Sequence, residues 1–150
     1  MGTFMRGKLT WLLPVAFAAA SAAVQAKECY TPDARAKERA FSRAVITEGG
    51  RTIWLAGRTA SDPKADFEAQ VRDVFANLDK TIKGVGGTGL RDMVTMTVFI
   101  NDVRLGDQFV KIRQEIFKEC FPASALITVT GFARPGLMVE VQGVAVVGSK

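Results

Sequence analysis

The chain has 150 residues, 48% of them apolar, with 20 basic against 15 acidic side chains and a net charge of +5. That length suits one domain with its own core, and the charge is too weak and too scattered to mark a nucleic-acid surface. With no histidine and two cysteines, the chain lacks the usual general base near neutral pH and cannot complete a four-ligand zinc site. No metal is expected, and any catalysis falls to carboxylates, hydroxyls, Lys, Cys or backbone groups.

The chain starts with "MGTFMRGK", which carries Arg6 and Lys8 and no acid, followed by the apolar "LTWLLPVAFAAASAAV" and the small residues Val24 and Ala26. Charged start, short apolar middle and small-residue exit predict a secretory leader over residues 1–26, cleaved after Ala26. The apolar run is shorter than the about 20 residues of a spanning helix. The alternative is an uncleaved anchor. The expected location is secreted or periplasmic, with no membrane contact after cleavage. An oxidising compartment allows Cys29 and Cys120 to pair; the alternative is one buried thiol and one thiol at a frayed end. Residues 27–39 are polar, include Pro32, and read as an irregular N-terminal arm ahead of a single domain over 40–150. Arg35, Lys37, Arg39 and Arg43 read as a solvated basic face rather than a phosphate patch.

In the domain, "AFSRAVIT" and "RTIWLAG" are β-type runs, and Glu48-Gly49-Gly50 between them predicts a hairpin. Ser61 or Asp62 is the expected cap of a first helix, with Pro63 in its first turn. Phe67, Val71, Val74, Phe75, Leu78 and Ile82 form that helix's apolar face. "GVGGTG" stops it; following a helix and lacking a Lys-Ser/Thr ending, it is not a phosphate loop. "DMVTMTVFIND" alternates Val94, Met96, Val98 and Ile100 against Thr95, Thr97 and Phe99, as a strand does. A second helix is predicted over Leu105 to Glu119, burying Phe109, Ile112, Ile116 and Phe117. "CFPASALITVTGF" enters the next strand, "ARPG" turns the chain, and "LMVEVQGVAVVG" is the last strand. The order β-β-α-β-α-β-β predicts an α+β layer with both helices on one sheet face. Glu140 interrupts the last apolar run, and a carboxylate there is either an edge residue or a semi-buried polar site able to hold or move a proton.

These pieces in this order resemble the RidA/YjgF family, also labelled L-PSP endoribonucleases or reactive-intermediate deaminases. The resemblance is carried by "FSRAV", "LAGRT", "AQVRDVFANLDKTIKGVG", "MVTMTVFINDV", "FP" with Ala123, and "VEVQGVAVV", across residues 40 to 147. It implies a chorismate-mutase-like fold assembled as a homotrimer, with small-molecule clefts between subunits. Active members hydrolyse 2-imino acids to ammonia and a 2-oxo acid without a cofactor. An Arg on the strand after Phe-Pro-Ala holds the substrate carboxylate, and a Glu on the last strand positions the attacking water. A Tyr, an Asn and the backbone of a Gly complete the cleft.

By that resemblance Glu140 and Gly57 are retained. Ser124 stands at the Arg position, Phe41 at the Tyr position, and Val110 near the Asn position. A serine offers one neutral donor on a short stem in place of a charged fork. Arg58 and Arg43 are the charged departures beside the cleft residues; Arg58 is a relocated anchor or a surface ion-pair residue, and Arg134 reads as a turn residue. The expectation is an exported Rid-like protein with weak or absent imine deaminase activity, catalysis resting on Glu140 if present. A non-catalytic ligand-binding trimer is the alternative, and a ribonuclease the remoter one, since no nucleic acid is expected as partner.

Overall fold

A computed structural model describes residues 27–148; the leader expected over 1–26 lies outside the described residues. The chain forms β1 (Glu28–Tyr30), α1 (Ala34–Glu38), β2 (Ala44–Ile46), β3 (Arg51–Thr59), α2 (Phe67–Gly84), β4 (Met93–Ile100), α3 (Gly106–Phe117), β5 (Ala123–Thr128) and β6 (Val139–Val147). From β2 onward this is the predicted β-β-α-β-α-β-β order. Ahead of it, the stretch expected to be irregular holds a short strand and a short helix, the latter capped by the Asp33 side chain on the Ala36 N–H.

Four strands make one sheet in the order β3-β6-β4-β5, antiparallel except for the β4–β5 pair. The α3 connection between β4 and β5 supplies the crossover that a parallel pair requires. β1 and β2 form a separate antiparallel ladder, tied to the β5 edge by a bridge between Ser42 and Ala123.

The expected β2–β3 hairpin is therefore corrected: β2 ladders with β1 and β3 with β6. Gly49 and Gly50 do take positive φ, 65° and 78°, so the turn forms. Its flanking strands find their partners elsewhere, because β3 gains a long register along the apolar β6. The first helix cap is also corrected. Asp66, not Ser61 or Asp62, accepts the Ala69 N–H; Asp62 instead makes a local turn to the Lys64 N–H, and the Ser61 N–H is taken by Asp73.

α2 and α3 lie on one face of the sheet. Phe75 of α2 meets the rings of Phe109 and Phe117 of α3 at 6.1 and 5.6 Å. Val71, Val74, Phe75, Leu78 and Ile82 pack with Phe109 and Ile112 against Met96, Val98, Ile100, Val139, Val141 and Ala145. Gln70 is fully buried on this face but satisfied: it donates to the Ala65 and Gly136 carbonyls and accepts the Met138 N–H. The alternate residues, including Phe99, Glu140, Gln142 and Val144, point to the opposite, open face, where Trp54 is 81% exposed.

Candidate functional site

The sequence-predicted residues fall into two groups on opposite faces of the sheet. The first surrounds Ser124. In β5, Ser124 is in register with Met96, whose side chain is buried against the helices, so Ser124 faces α3. There its hydroxyl accepts a hydrogen bond of 2.7 Å from Nη1 of Arg113. Nη2 of Arg113 donates to the Arg39 carbonyl, and the guanidinium lies 5.3 Å from the Phe109 ring centre. Arg113 is only 2% exposed, and its Nε has no hydrogen-bond partner among the described residues.

The space at Ser124 is thus filled by an arginine from α3 rather than lined by one from β5. Sequence reading missed Arg113, although a signal was there: it stands four residues after Phe109 on the buried stripe of its helix, a charge on an apolar face. Burial pushes its pKa down to about 10, and the like charge of Arg39 adds to the fall. Against an ordinary value of 12.5 this corresponds to a cost of roughly 3 kcal/mol for keeping the charge at neutral pH.

The N-terminal arm closes over this group. Ala36 and Ala40 are fully buried. Gln114 donates to the Glu38 carbonyl at 3.0 Å, and Arg39 pairs with Asp107 at the start of α3. Cys29 and Cys120 are joined in a disulfide with Cα atoms 5.2 Å apart and a sequence separation of 91. The buried Ser42 hydroxyl donates to the Phe121 carbonyl at 2.6 Å. Phe41 is half-buried with the Arg43 guanidinium 5.1 Å from its ring centre, and Val110 is buried. Arg43 also pairs with Asp33, so two of the four basic residues near the arm are in ion pairs.

The second group is Glu140 and Gly57, on β6 and β3. Glu140 alternates with the buried Val139 and Val141 and so faces the open side. A Cβ at Gly57 would overlap Oε1 of Glu140, so the bare Gly57 backbone is what lets the carboxylate lie across β3. Arg58 does not join it. A bulge between Leu55 and Arg58 sets Arg58 opposite Val141, towards α2. There the Asp73 carboxyl is held below its usual range chiefly by the Ser61 N–H, with the Arg58 charge a weaker contributor. Arg134 donates to the Ala60 carbonyl at 3.1 Å. A cavity of about 570 Å³ lies beside the disulfide, lined by Lys27, Arg91, Ile116, Phe117, Lys118 and Cys120 among others; neither Ser124 nor Glu140 lines it. Among the described residues, no group of three or more His, Cys, Asp or Glu side chains stands together as a metal would need.

Within one chain, then, Arg113 is bonded to Ser124, and the bridge between Ser42 and Ala123 brings the Phe41 region alongside, while Glu140 and Gly57 lie across the sheet from them. The fold matches known structures. It superposes on a Rid-family protein of unknown function from Yersinia pestis with a TM-score of 0.72 at 23% identity, covering 81% of this chain and 98% of that one. A YjgF/YER057c/UK114 family member from Mycobacterium tuberculosis gives a TM-score of 0.60 at 24% identity, covering 81% and 100%. In sequence, the chain is 27% identical over 104 residues to a RutC family protein of Sulfurisphaera tokodaii, covering 65% of this chain and 81% of the relative. It is 26% identical over 111 residues to one from Pyrococcus horikoshii, covering 70% and 85%. The model of the Endoribonuclease L-PSP family matches residues 31–147. That match spans the β-α layer, every candidate residue except Cys29, and most of the arm, and the chain belongs to this family, the RidA/YjgF proteins with their chorismate-mutase-like fold.

Proposed function

We propose that this is an exported Rid-family protein whose small-molecule cleft forms between subunits of a homotrimer and whose 2-imino acid deaminase activity is weak or absent. The observation that carries the reading is Arg113. By the family resemblance, Ser124 occupies the place of the arginine that holds the substrate carboxylate. Here that place is taken by a guanidinium already bonded to Ser124 and to the Arg39 carbonyl. With the arm in place, an arginine so engaged does not present its fork to an incoming ligand. Glu140 keeps the position of the water-activating carboxylate, but it lies across the sheet from Ser124, and only a neighbouring subunit can bring the two types of residue into one cleft. The disulfide supports export, since such bonds persist in oxidising compartments.

The test is hydrolysis of 2-iminobutanoate, followed by ammonia release, beside a relative with Arg at the Ser124 position. The expected rate is lower by at least about tenfold, the loss of one charge-assisted contact. Ser124→Arg alone is expected not to restore it, because two guanidiniums would then share one buried space. A wild-type rate equal to that of the relative contradicts the proposal. The second reading, a ligand-binding trimer without catalysis, is favoured by the same Arg113 contacts and is distinguished by binding without ammonia release.

A further inference from the structure

We propose that the arm from Glu28 to Phe41 is a strap, latched by the Cys29–Cys120 disulfide, over a buried oxyanion site anchored by Arg113. The Arg39 carbonyl holds the place of a ligand oxygen. Charges buried in folded proteins are paired with opposite charges or they cost stability. Arg113 has only neutral partners among the described residues: a hydroxyl, a carbonyl and an aromatic face. Its Nε is buried without a partner. A planar fork with unused donors and no counterion matches an oxyanion, and an ionised oxygen binds it more strongly than the neutral carbonyl it displaces.

The cover over Arg113 comes from the arm. Arg39 supplies the carbonyl, and Gln114 and Asp107 of α3 tie down Glu38 and Arg39 from outside. Ala40, at the join between α1 and β2, takes φ 53°, a left-handed conformation that strains a residue with a Cβ and often marks a moving part. The covalent tie at the far end is the disulfide. Opening it takes a dithiol reductant: the Cys29–Cys120 bond accepts two electrons and two protons, giving two thiols, and the dithiol leaves as its own disulfide.

The inference rests on the reading that a ligand cleft includes Ser124. Its test does not depend on turnover, so a fast or slow deaminase leaves the outcome untouched. Phenylglyoxal, which attacks accessible guanidiniums, is applied to the folded protein, and modified arginines are located by peptide mass spectrometry, with the exposed Arg104 as internal reference. In the oxidised protein Arg113 is expected to react far more slowly than Arg104. After dithiothreitol, or in Cys29→Ser, the Arg113 rate rises by about tenfold or more, as local opening allows, while the circular dichroism of the fold persists. The double variant Asp107→Ala with Gln114→Ala, which cuts two ties and keeps the disulfide, also raises it. In the opened protein, acetate or inorganic phosphate slows modification at Arg113 and not at Arg104, and the more effective of the two identifies the type of oxyanion. Equal Arg113 rates in oxidised, reduced and double-variant protein overturn the strap. Opening without protection by either anion overturns the site.

Discussion

Arg113 sets two opposing terms against each other. Burial and the like charge of Arg39 together cost it roughly 3 kcal/mol, while its bonds to Ser124 and the Arg39 carbonyl contribute roughly 1 kcal/mol each. Replacing it with methionine removes the charge and keeps much of the volume. Arg113→Met is therefore expected to change stability by less than about 1 kcal/mol, or to raise it, in urea unfolding. A loss of about 3–5 kcal/mol, typical of breaking a paired buried charge, would show an unseen counterion. Two glycines make a second contrast at this scale. At Gly57 the obstacle to a Cβ is the mobile end of Glu140, and at Gly143 it is the Thr95 backbone carbonyl. Gly57→Ala is expected to displace Glu140 at a cost below about 1 kcal/mol, whereas Gly143→Ala strains the β4–β6 ladder by about 1–3 kcal/mol. Comparable denaturation midpoints for the two variants would contradict the difference. Glu140 was legible in the sequence as a charge in an apolar strand. Arg113 carried the same kind of signal on a helix, but the resemblance drew attention to the strand where the family's arginine stands, and Arg58, the nearest departure in sequence, proved to face α2.

At the level of elements, the helices were the legible part, because a repeat of apolar residues three and four apart persists over several turns. The caps were less so. The sequence pointed to Ser61 or Asp62, whereas Asp66 caps the helix and Asp62 is spent on a local turn to the Lys64 N–H. Asp66→Ala is expected to cost about 1 kcal/mol, measured by urea unfolding, and Asp62→Ala less. The arm was legible as a polar lead-in with a cysteine able to pair, but its elements were not: β1 and α1 are too short for periodicity, and both depend on partners far away in sequence. The arm also carries a pH response. The Asp33 carboxyl is held below its ordinary 3.8 by the Arg43 guanidinium first and then by the Ala36 N–H. A carboxyl with a depressed folded-state pKa contributes its stability above its unfolded pKa and loses it as pH falls through the folded value. Local protection of the arm amides is expected to drop on acidification below about 4, and Asp33→Asn should flatten that response.

For the whole molecule, the disulfide closes a separation of 91 residues, for which the loop-entropy account gives about 4–5 kcal/mol; Cys120→Ser is expected to lower the urea midpoint accordingly. The open sheet face, with Trp54 at 81% and Ile127 at 43% exposure, is where subunits of the proposed trimer would meet, and light scattering should then give three times the chain mass. The Arg113 guanidinium is shut in at Ser124, and its side-chain N–H signals report this most directly. In the oxidised protein near neutral pH, the Arg113 Nε–H resonance is expected to be resolved and slow to exchange with water, and to become fast after reduction. An Arg113 signal exchanging as fast as that of Arg104 in the oxidised protein would mean that the site is open, and the account would fail.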